Sequence, residues 1–169
     1  MRTPVFELHI QPLFRATDHR HMRVQVDLWD YVQVVDNADR ILGYLRAERD
    51  RPLMPPLAAG GPWPEEWIQL FERWKDTGFK RLELGSAHYS FDRTASTIQA
   101  TGDFPAAGYI GWLQIQTDTD SSRTYVLYFE PPDAAAAGYA TSFSIEELYE
   151  GPETKSIYVH DSTGLHQLR

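Results

Sequence analysis

Apolar side chains recur at helical spacing in the first half of the chain. The clearest segment is PEEWIQLFERWKDTG, in which four apolar residues fall at positions i, i+3, i+4 and i+7: Trp67, Leu70, Phe71 and Trp74. Pro64 stands at the first helical position and Gly78 follows the last turn, as is typical of helix boundaries. The pattern predicts a helix whose Trp-bearing face is buried.

Two more helices are predicted upstream of this one. Asp30 followed by Gln33 forms a capping-box pattern, and the apolar positions around it keep helical spacing: Val32, Val35, Ala38, Ile41, Leu42 and Leu45. An opening helix is expected within PVFELHIQPLFR, although Pro12 limits where its regular hydrogen bonding begins. The stretch RPLMPPLAAGGPWP then reads as a proline- and glycine-rich connector to the last helix.

The second half of the chain changes to β-type patterns. Six short segments rich in aromatic and β-branched residues are separated by turn clusters: RLELG, STIQATG, YIGWLQIQTD, RTYVLYFE, YATSFSIEEL and KSIYVHD. RTYVLYFE is apolar on both faces and is predicted to be a central strand. The pattern therefore predicts an α+β protein, with a helical domain at 1–78 and an antiparallel sheet or sandwich at 79–169.

Composition narrows the classes of function. Hydrophobic residues make up 42% of the 169 positions and aromatic residues 13%, as expected of a folded domain. The net charge of −8 and the lack of a basic run argue against nucleic acid as a partner. Cysteine is absent, so disulfides and thiolate metal sites are excluded. No stretch approaches the roughly 20 apolar residues of a membrane span, so no membrane partner and a cytoplasmic location are expected.

The helical half resembles a class I cytochrome c domain that has lost its heme. Ile10, Pro12, Leu13 and Phe14 match the opening helix of that family, and the Met54-Pro-Pro loop and the helix WIQLFERWKDTG match its later motifs. In this alignment Asp18 and His21 stand at the two heme cysteines and Met22 stands at the axial histidine. The resemblance implies the family's helical fold without covalent heme attachment. The β half matches no family that we recognise.

The stretch DHRHM at 18–22 raises the question of a metal site. Noncovalent heme or copper between Met22 and Met54, with His21 as a substitute ligand, is one hypothesis, and copper or zinc on His9, His19 and His21 is another. On a helix His19 and His21 point to different sides, which disfavours a shared ion. The favoured interpretation has no cofactor: Thr17 or Asp18 caps a helix, His19 and Arg20 are solvated, and Met22 and Val26 are a core pair that fills the space of a porphyrin.

The β half offers a second group of candidates. The segment SAHYSFDRTAST is predicted to be a loop at the junction of the two halves, where His88, Tyr89 and Arg93 would supply polar groups to a pocket with Tyr109 or Trp112 as a wall. His160 and Asp161 precede Ser162, but adjacent strand residues face opposite ways, so a hydrolase site is not predicted there. DTDSS has no glycine at the sixth calcium-loop position and is predicted to be a hairpin turn.

These observations lead to a ranked set of functions. The first is a non-catalytic binding or accessory module acting through protein contacts, because no assembled nucleophile, base or cofactor motif is visible and Trp63 beside GGPWP suggests an interface. The alternatives are a small-molecule-binding protein or enzyme with a pocket between the halves, and a noncovalent heme or copper protein. Whether the chain is an enzyme, and in which oligomeric state it exists, stays open.

Overall fold

The computed structural model describes residues 2–48, 51–134 and 138–169 and divides the chain into two units, Met1–Arg81 and Leu82–Arg169. The helices lie in the first unit and the strands in the second, which confirms the predicted α+β class. We call these the helical unit and the β unit.

The helical unit begins with irregular turns and continues with α-helices. A π-helical turn, Phe6–Ile10, and a 3-10 turn, Gln11–Leu13, are followed by α1 (Ala16–Met22), α2 (Tyr31–Asp36), α3 (Ala38–Leu45), a 3-10 turn (Leu57–Ala59) and α4 (Glu65–Asp76). The opening segment is therefore not a regular helix, because Pro12 has no N–H to donate and its ring disfavours an α-helical turn before it.

The predicted second helix is divided into two. Asp30 caps α2 as expected, since its Oδ1 accepts a hydrogen bond from the N–H of Gln33 at 2.9 Å. The Gln33 side chain does not close the capping box but accepts from the N–H of Asp27 at 2.9 Å. Asn37 then lies between α2 and α3 in a non-helical conformation, with φ −111° and ψ 12°.

The buried face of α4 agrees with the predicted face at Phe71 and Trp74 but differs from it at Trp67. Ile68, Phe71 and Trp74 are buried, whereas Trp67 is 37% exposed. These three positions follow the spacing i, i+3 and i+6, and they join one core with side chains of the opening turns, α2 and α3: Phe6, Ile10, Phe14, Val34, Ala38, Ile41, Leu42 and Leu45. The prediction that Trp67 is part of the buried face is wrong, and Ile68 takes that place.

The β unit contains the predicted strands and two that were not predicted. The strands are β1 (Glu83–Leu84), β2 (His88–Asp92), β3 (Thr97–Phe104), β4 (Ile110–Asp118), β5 (Ser122–Glu130), β6 (Thr141–Leu148), β7 (Ser156–Asp161) and β8 (Gly164–Gln167). β2 lies in the segment that was interpreted as a loop. It pairs with β3 through the register His88↔Thr101 to Asp92↔Thr97.

The strands form two sheets. One has the order β1-β5-β7-β8 with β4 also paired to β5, and the other has the order β2-β3-β6. β5 is central, as predicted, but its pairing with β7 is parallel, so the first sheet is mixed rather than purely antiparallel. Side chains of both sheets share one core, including Ile98 and Ala100 of β3 with Leu127 of β5 and Val159 of β7. This is the arrangement of a β-sandwich.

Candidate functional site

The helical unit contains a cavity of about 410 Å³. Its lining is mostly apolar and aromatic, and includes Phe14, Val26, Leu28, Ile41 and Trp63. We call this the helical cavity. Small-molecule sites in proteins are typically clefts of about 300–1,000 Å³ with such linings, so the cavity has the size and character of a ligand site.

One wall of the helical cavity is a single face of α1. Asp18, His21 and Met22 stand at i, i+3 and i+4, which places them side by side on a helix, and all three line the cavity. Asp18 is engaged at the start of α1, where its Oδ2 accepts from the N–H of Arg15 at 3.1 Å and from Arg15 Nε at 3.0 Å. His21 is exposed at the rim, and Met22 is half-buried.

The opposite wall comes from α3 and from the connector after it. Arg40, Ile41, Tyr44 and Leu45 form one face of α3. The connector adds Met54, Pro55 and Pro56 together with Ala59 and Trp63. The N–H of Met54 donates to the backbone oxygen of Tyr44 at 3.1 Å, and this bond ties the connector to α3.

The predicted metal ligands His21, Met22 and Met54 therefore all border the same space. Val26 is a core residue, 1% exposed, as expected, but Val26 and Met22 also line the cavity, so side chains do not fill the space completely. Met22 still packs partly against the core, as expected, while Met54 is 36% exposed.

Heme is the group of the family that the sequence resembles. If that resemblance holds, Asp18 and His21 stand where the family has its two anchoring cysteines; neither side chain can form a thioether, and Asp18 pairs with Arg15. The residues present do not fit a covalently attached heme, and no step of the function proposed below depends on one. Among the described residues no group of three His, Asp or Glu side chains is placed to hold a metal ion.

His19, on the other side of α1, is not solvated as expected. Its ring stacks on Trp29 with centroids 4.0 Å apart and planes 5° from parallel, and its Nε2 lies 2.8 Å from Asp27 Oδ1. The Nδ1 of His9 accepts from the N–H of Val5 at 2.9 Å. Each of these two histidines thus has a structural partner.

The β unit has a second concave site, a groove of about 720 Å³. We call it the β groove. It is bordered by β2, β3 and the β7–β8 hairpin, through residues that include His88, Tyr89, Asp103, Thr163 and His166. Each of the two sites is lined by residues of one unit alone.

Asp161 organises the polar side chains next to the β groove. Its carboxylate is buried at the end of β7, and Oδ1 accepts from Thr163 N and Thr163 Oγ1, both at 2.7 Å, and from Gly164 N at 3.2 Å. Its Oδ2 accepts from the hydroxyl of Tyr89 at 2.7 Å. The first set of bonds is an Asx turn, and the bond to Tyr89 joins one sheet to the other.

His166 completes this cluster but does not form a catalytic triad. Its Nε2 lies 3.0 Å from Asp161 Oδ1 and 2.9 Å from Thr163 Oγ1. In a triad the acid and the nucleophile contact different nitrogens of the imidazole, so that one holds the ring while the other gives up its proton. Here both oxygens share one nitrogen, and no proton relay is possible in this arrangement.

The pKa values of the cluster agree with a structural role. Burial opposes ionisation of Asp161, but hydrogen bonds from Tyr89, Thr163 and His166 outweigh it and lower its pKa to about 2. Burial, together with the hydrogen bond to this carboxylate, raises the pKa of Tyr89 well above its usual value. At neutral pH Asp161 is therefore an anion and Tyr89 a hydrogen-bond donor to it.

The residues predicted to share a pocket in the β half are only partly brought together. His88 and Tyr89 line the β groove, whereas Arg93, Tyr109 and Trp112 line neither site. Tyr109 OH lies 3.3 Å from Glu83 Oε2, and Trp112 Nε1 donates to Gln114 Oε1 at 3.5 Å. Arg93 is exposed in the turn between β2 and β3.

His166 and Thr163 were not predicted as members of a site. The sequence DSTG predicts the turn that contains Thr163. The hydrogen bond between Tyr89 and Asp161 joins residues 72 positions apart, and it arises only because the two sheets pack together. Asp161 was correctly predicted not to pair with His160.

Comparisons with protein-family models, with curated proteins and with solved structures find no match to this chain. No helix in the part of the chain that the structure describes is long and apolar enough to cross a bilayer.

Proposed function

We propose that the helical unit is a binding module for a small, largely apolar molecule held in the helical cavity. The observation that carries the proposal is the cavity itself, about 410 Å³ between two helices and a tethered connector. Protein interiors are normally packed as densely as organic crystals. An apolar space of this size leaves its lining without contact partners, and a ligand of matching shape would supply them.

The polar groups around the cavity support binding rather than catalysis. Asp18 is engaged by Arg15, and Arg40 Nη2 donates to Gln25 Oε1 at 3.3 Å. A nucleophile paired with a base, as covalent catalysis requires, is not found among the described residues of the lining. A few polar groups around an apolar body are what a site needs to orient a ligand.

A pair of neighbouring alanines provides the test. Ala59 lines the cavity, whereas Ala58 is exposed and does not. Ala59→Phe should place a ring in the cavity and weaken binding of an apolar probe, isopropylnaphthalene, by about tenfold or more, since burial of the probe's own ring carries its affinity. Ala58→Phe should leave the affinity unchanged. Ligand-detected NMR titration measures both.

Two results would contradict this proposal. One is equal binding of the probe by the wild type and by Ala59→Phe, which would place the probe elsewhere. The other is no binding by a folded wild-type protein, either of this hydrocarbon or of its oxygen-bearing analogues. A rise in melting temperature with probe concentration would support binding to the native state.

Protein contact, the first function expected from the sequence, is the second candidate. Trp63 no longer supports this function, because a side chain that is only 5% exposed offers little surface to a protein partner. The connector nevertheless exposes Leu57 by 83% and Leu53 by 38%. If a protein partner binds there, Leu57→Ser should reduce its co-purification with the full chain, while Ala59→Phe should not.

A further inference from the structure

The charged side chains around the helical cavity do not cancel one another. Its described lining includes one carboxylate, that of Asp18, and two basic side chains, those of His21 and Arg40. The carboxylate of Asp18 is already paired with Arg15, at 3.0 Å between Oδ2 and Nε. Arg40 forms no ion pair with a carboxylate in the described part of the chain, and its hydrogen bond goes to the neutral amide of Gln25. The charge that remains at the cavity is therefore positive.

Arg40 lies where the helical cavity opens to solvent. Arg40, His21 and Gln25 line the cavity and are nevertheless exposed, so they border its mouth, whereas lining residues such as Ile41 and Trp63 are buried. The hydrogen bond from Arg40 Nη2 to Gln25 Oε1, 3.3 Å long, connects α3 with the segment that follows α1. The cavity therefore combines an apolar interior with a polar mouth.

The guanidinium of Arg40 is suited to a carboxylate at this mouth. It presents five N–H donors in a planar fork that matches the two oxygens of a carboxylate, and the bond to Gln25 leaves most of these donors available. Because the charged head stays in contact with water, an ion pair here avoids the full desolvation penalty of a buried pair. A cationic ligand would be repelled by Arg40, and Asp18 is already neutralised by Arg15.

We infer that the helical cavity binds amphipathic carboxylates, with the apolar body of the ligand in the cavity and its carboxylate at the mouth, where the Arg40 guanidinium donates hydrogen bonds to it. This inference rests on the proposed function, because it names the class of ligand for the same cavity. The chain carries a net charge of −8, so its overall field disfavours anions. A preference for a carboxylate must therefore come from a local group.

The experiment compares three naphthalenes of similar size in NMR and calorimetric titrations. Naphthoate carries a carboxylate, naphthamide is its neutral counterpart of nearly the same shape, and isopropylnaphthalene is a hydrocarbon. The wild type should bind naphthoate more tightly than naphthamide, by about threefold to tenfold, between the values for an exposed ion pair and for a charge-assisted hydrogen bond. Salt at about 1 M should reduce this preference, because it screens the exposed charge of Arg40.

Substitution of the cation isolates its role. Arg40→Gln should abolish the preference for naphthoate over naphthamide, whereas Arg40→Lys should keep part of it, because an ammonium retains the charge without the planar fork. Arg20→Gln is the matched control, since Arg20 is exposed on α1 and lies outside the lining, and the variant loses the same charge. This control should keep the preference. Ala59→Phe should weaken naphthoate as well as the hydrocarbon, because both place their rings in the cavity.

The outcomes separate this inference from the proposed function. Equal affinity of the wild type for naphthoate and naphthamide would overturn the inference, and the apolar site would stand if isopropylnaphthalene still binds. A preference that survives in Arg40→Gln, or that Arg20→Gln removes to the same extent, would overturn it as well. If Arg40→Gln does not fold, the wild type decides, and a preference that salt leaves unchanged counts against the inference. If no probe binds, the proposed function fails together with it.

Discussion

The helical cavity and the β groove use their polar side chains in opposite ways. Around the β groove the donors of Tyr89, Thr163 and His166 converge on one buried carboxylate, Asp161. Next to the helical cavity the N–H of Trp63 is buried and has no acceptor among the residues that the structure describes. The β groove is also the larger of the two spaces, at about 720 Å³ compared with 410 Å³.

The difference shows that size and titratable residues alone are a poor guide to function. The cluster at Asp161 has a histidine, a threonine and an acid within hydrogen-bonding distance, yet each group is already satisfied by the others and the cluster ties two sheets together. A fully satisfied network makes a fold rigid and specific. An apolar space that the protein's own side chains leave open is the better sign of a ligand site.

The largest expected effect tests whether the helical unit has a closed core beside its cavity. Trp74 is fully buried and donates to Lys80 O at 2.8 Å. Trp74→Ala should destabilise the protein by about 3–5 kcal/mol, as is typical for large aromatic deletions in cores. Chemical denaturation measures the loss. Trp67→Ala, at a site 37% exposed, should cost much less, and equal costs would show that the core is not closed at Trp74.

A smaller effect tests whether the β cluster is structural. Because the pKa of Asp161 is lowered from 3.8 to about 2, the folded state holds its proton less tightly than the unfolded state does. The resulting stability is present in full above about pH 5 and is lost as the pH falls toward 2, by on the order of 2 kcal/mol. Denaturant unfolding measured between pH 6 and pH 2 should show this loss.

Asp161→Asn provides the control for this titration. The variant should be less stable at neutral pH by about 3 kcal/mol, because the charged acceptor of several buried donors is gone. Its stability should fall less steeply in acid than that of the wild type. Asp118 also has a pKa lowered to about 2, by Arg123 and Lys155, so only the difference between wild type and variant reports on Asp161. Parallel pH profiles would rule out the assigned role.

Local patterns predicted the elements, and tertiary contacts decided the details. The cap at Asp30, the hairpin at TDTDSS and the central position of β5 depend on neighbouring residues or on continuous apolar runs, and these predictions are confirmed. The buried face of α4 was predicted correctly at Phe71 and Trp74 but wrongly at Trp67, because Trp67 and Ile68 are neighbours and either can extend an apolar face that contains Phe71. β2 was missed although HYSFD alternates exposed polar and half-buried aromatic residues, as a half-buried strand does, because the pattern is short and turn residues flank it.

The sites were less predictable than the fold, for two physical reasons. The shared helix face of Asp18, His21 and Met22 was not predicted, and a cavity is the absence of packing and leaves no residue pattern of its own. The Tyr89–Asp161–His166 cluster joins strands from two sheets, and no local rule connects them. The unpaired state of Trp63 depends on what surrounds its N–H in three dimensions, which sequence spacing does not specify.

The smallest expected effect separates the two histidines of DHRHM. His19 stacks on Trp29 and contacts Asp27 at 2.8 Å, whereas His21 is exposed on the cavity rim. His19→Gln should cost about 1 kcal/mol through the lost stacking and hydrogen bond, and the fluorescence of Trp29 should change because its ring partner is gone. His21→Gln should alter stability by less than about 0.5 kcal/mol, as surface changes usually do.

Denaturation curves and metal analysis of the two variants make the comparison, and neither variant should change the metal content. Stoichiometric copper, zinc or heme that disappears in His21→Gln would make the rim a metal site and would replace the apolar-ligand proposal for the helical cavity. Equal costs for the two changes would instead show that His21 has a structural role as large as that of His19, which its exposure on the rim does not support.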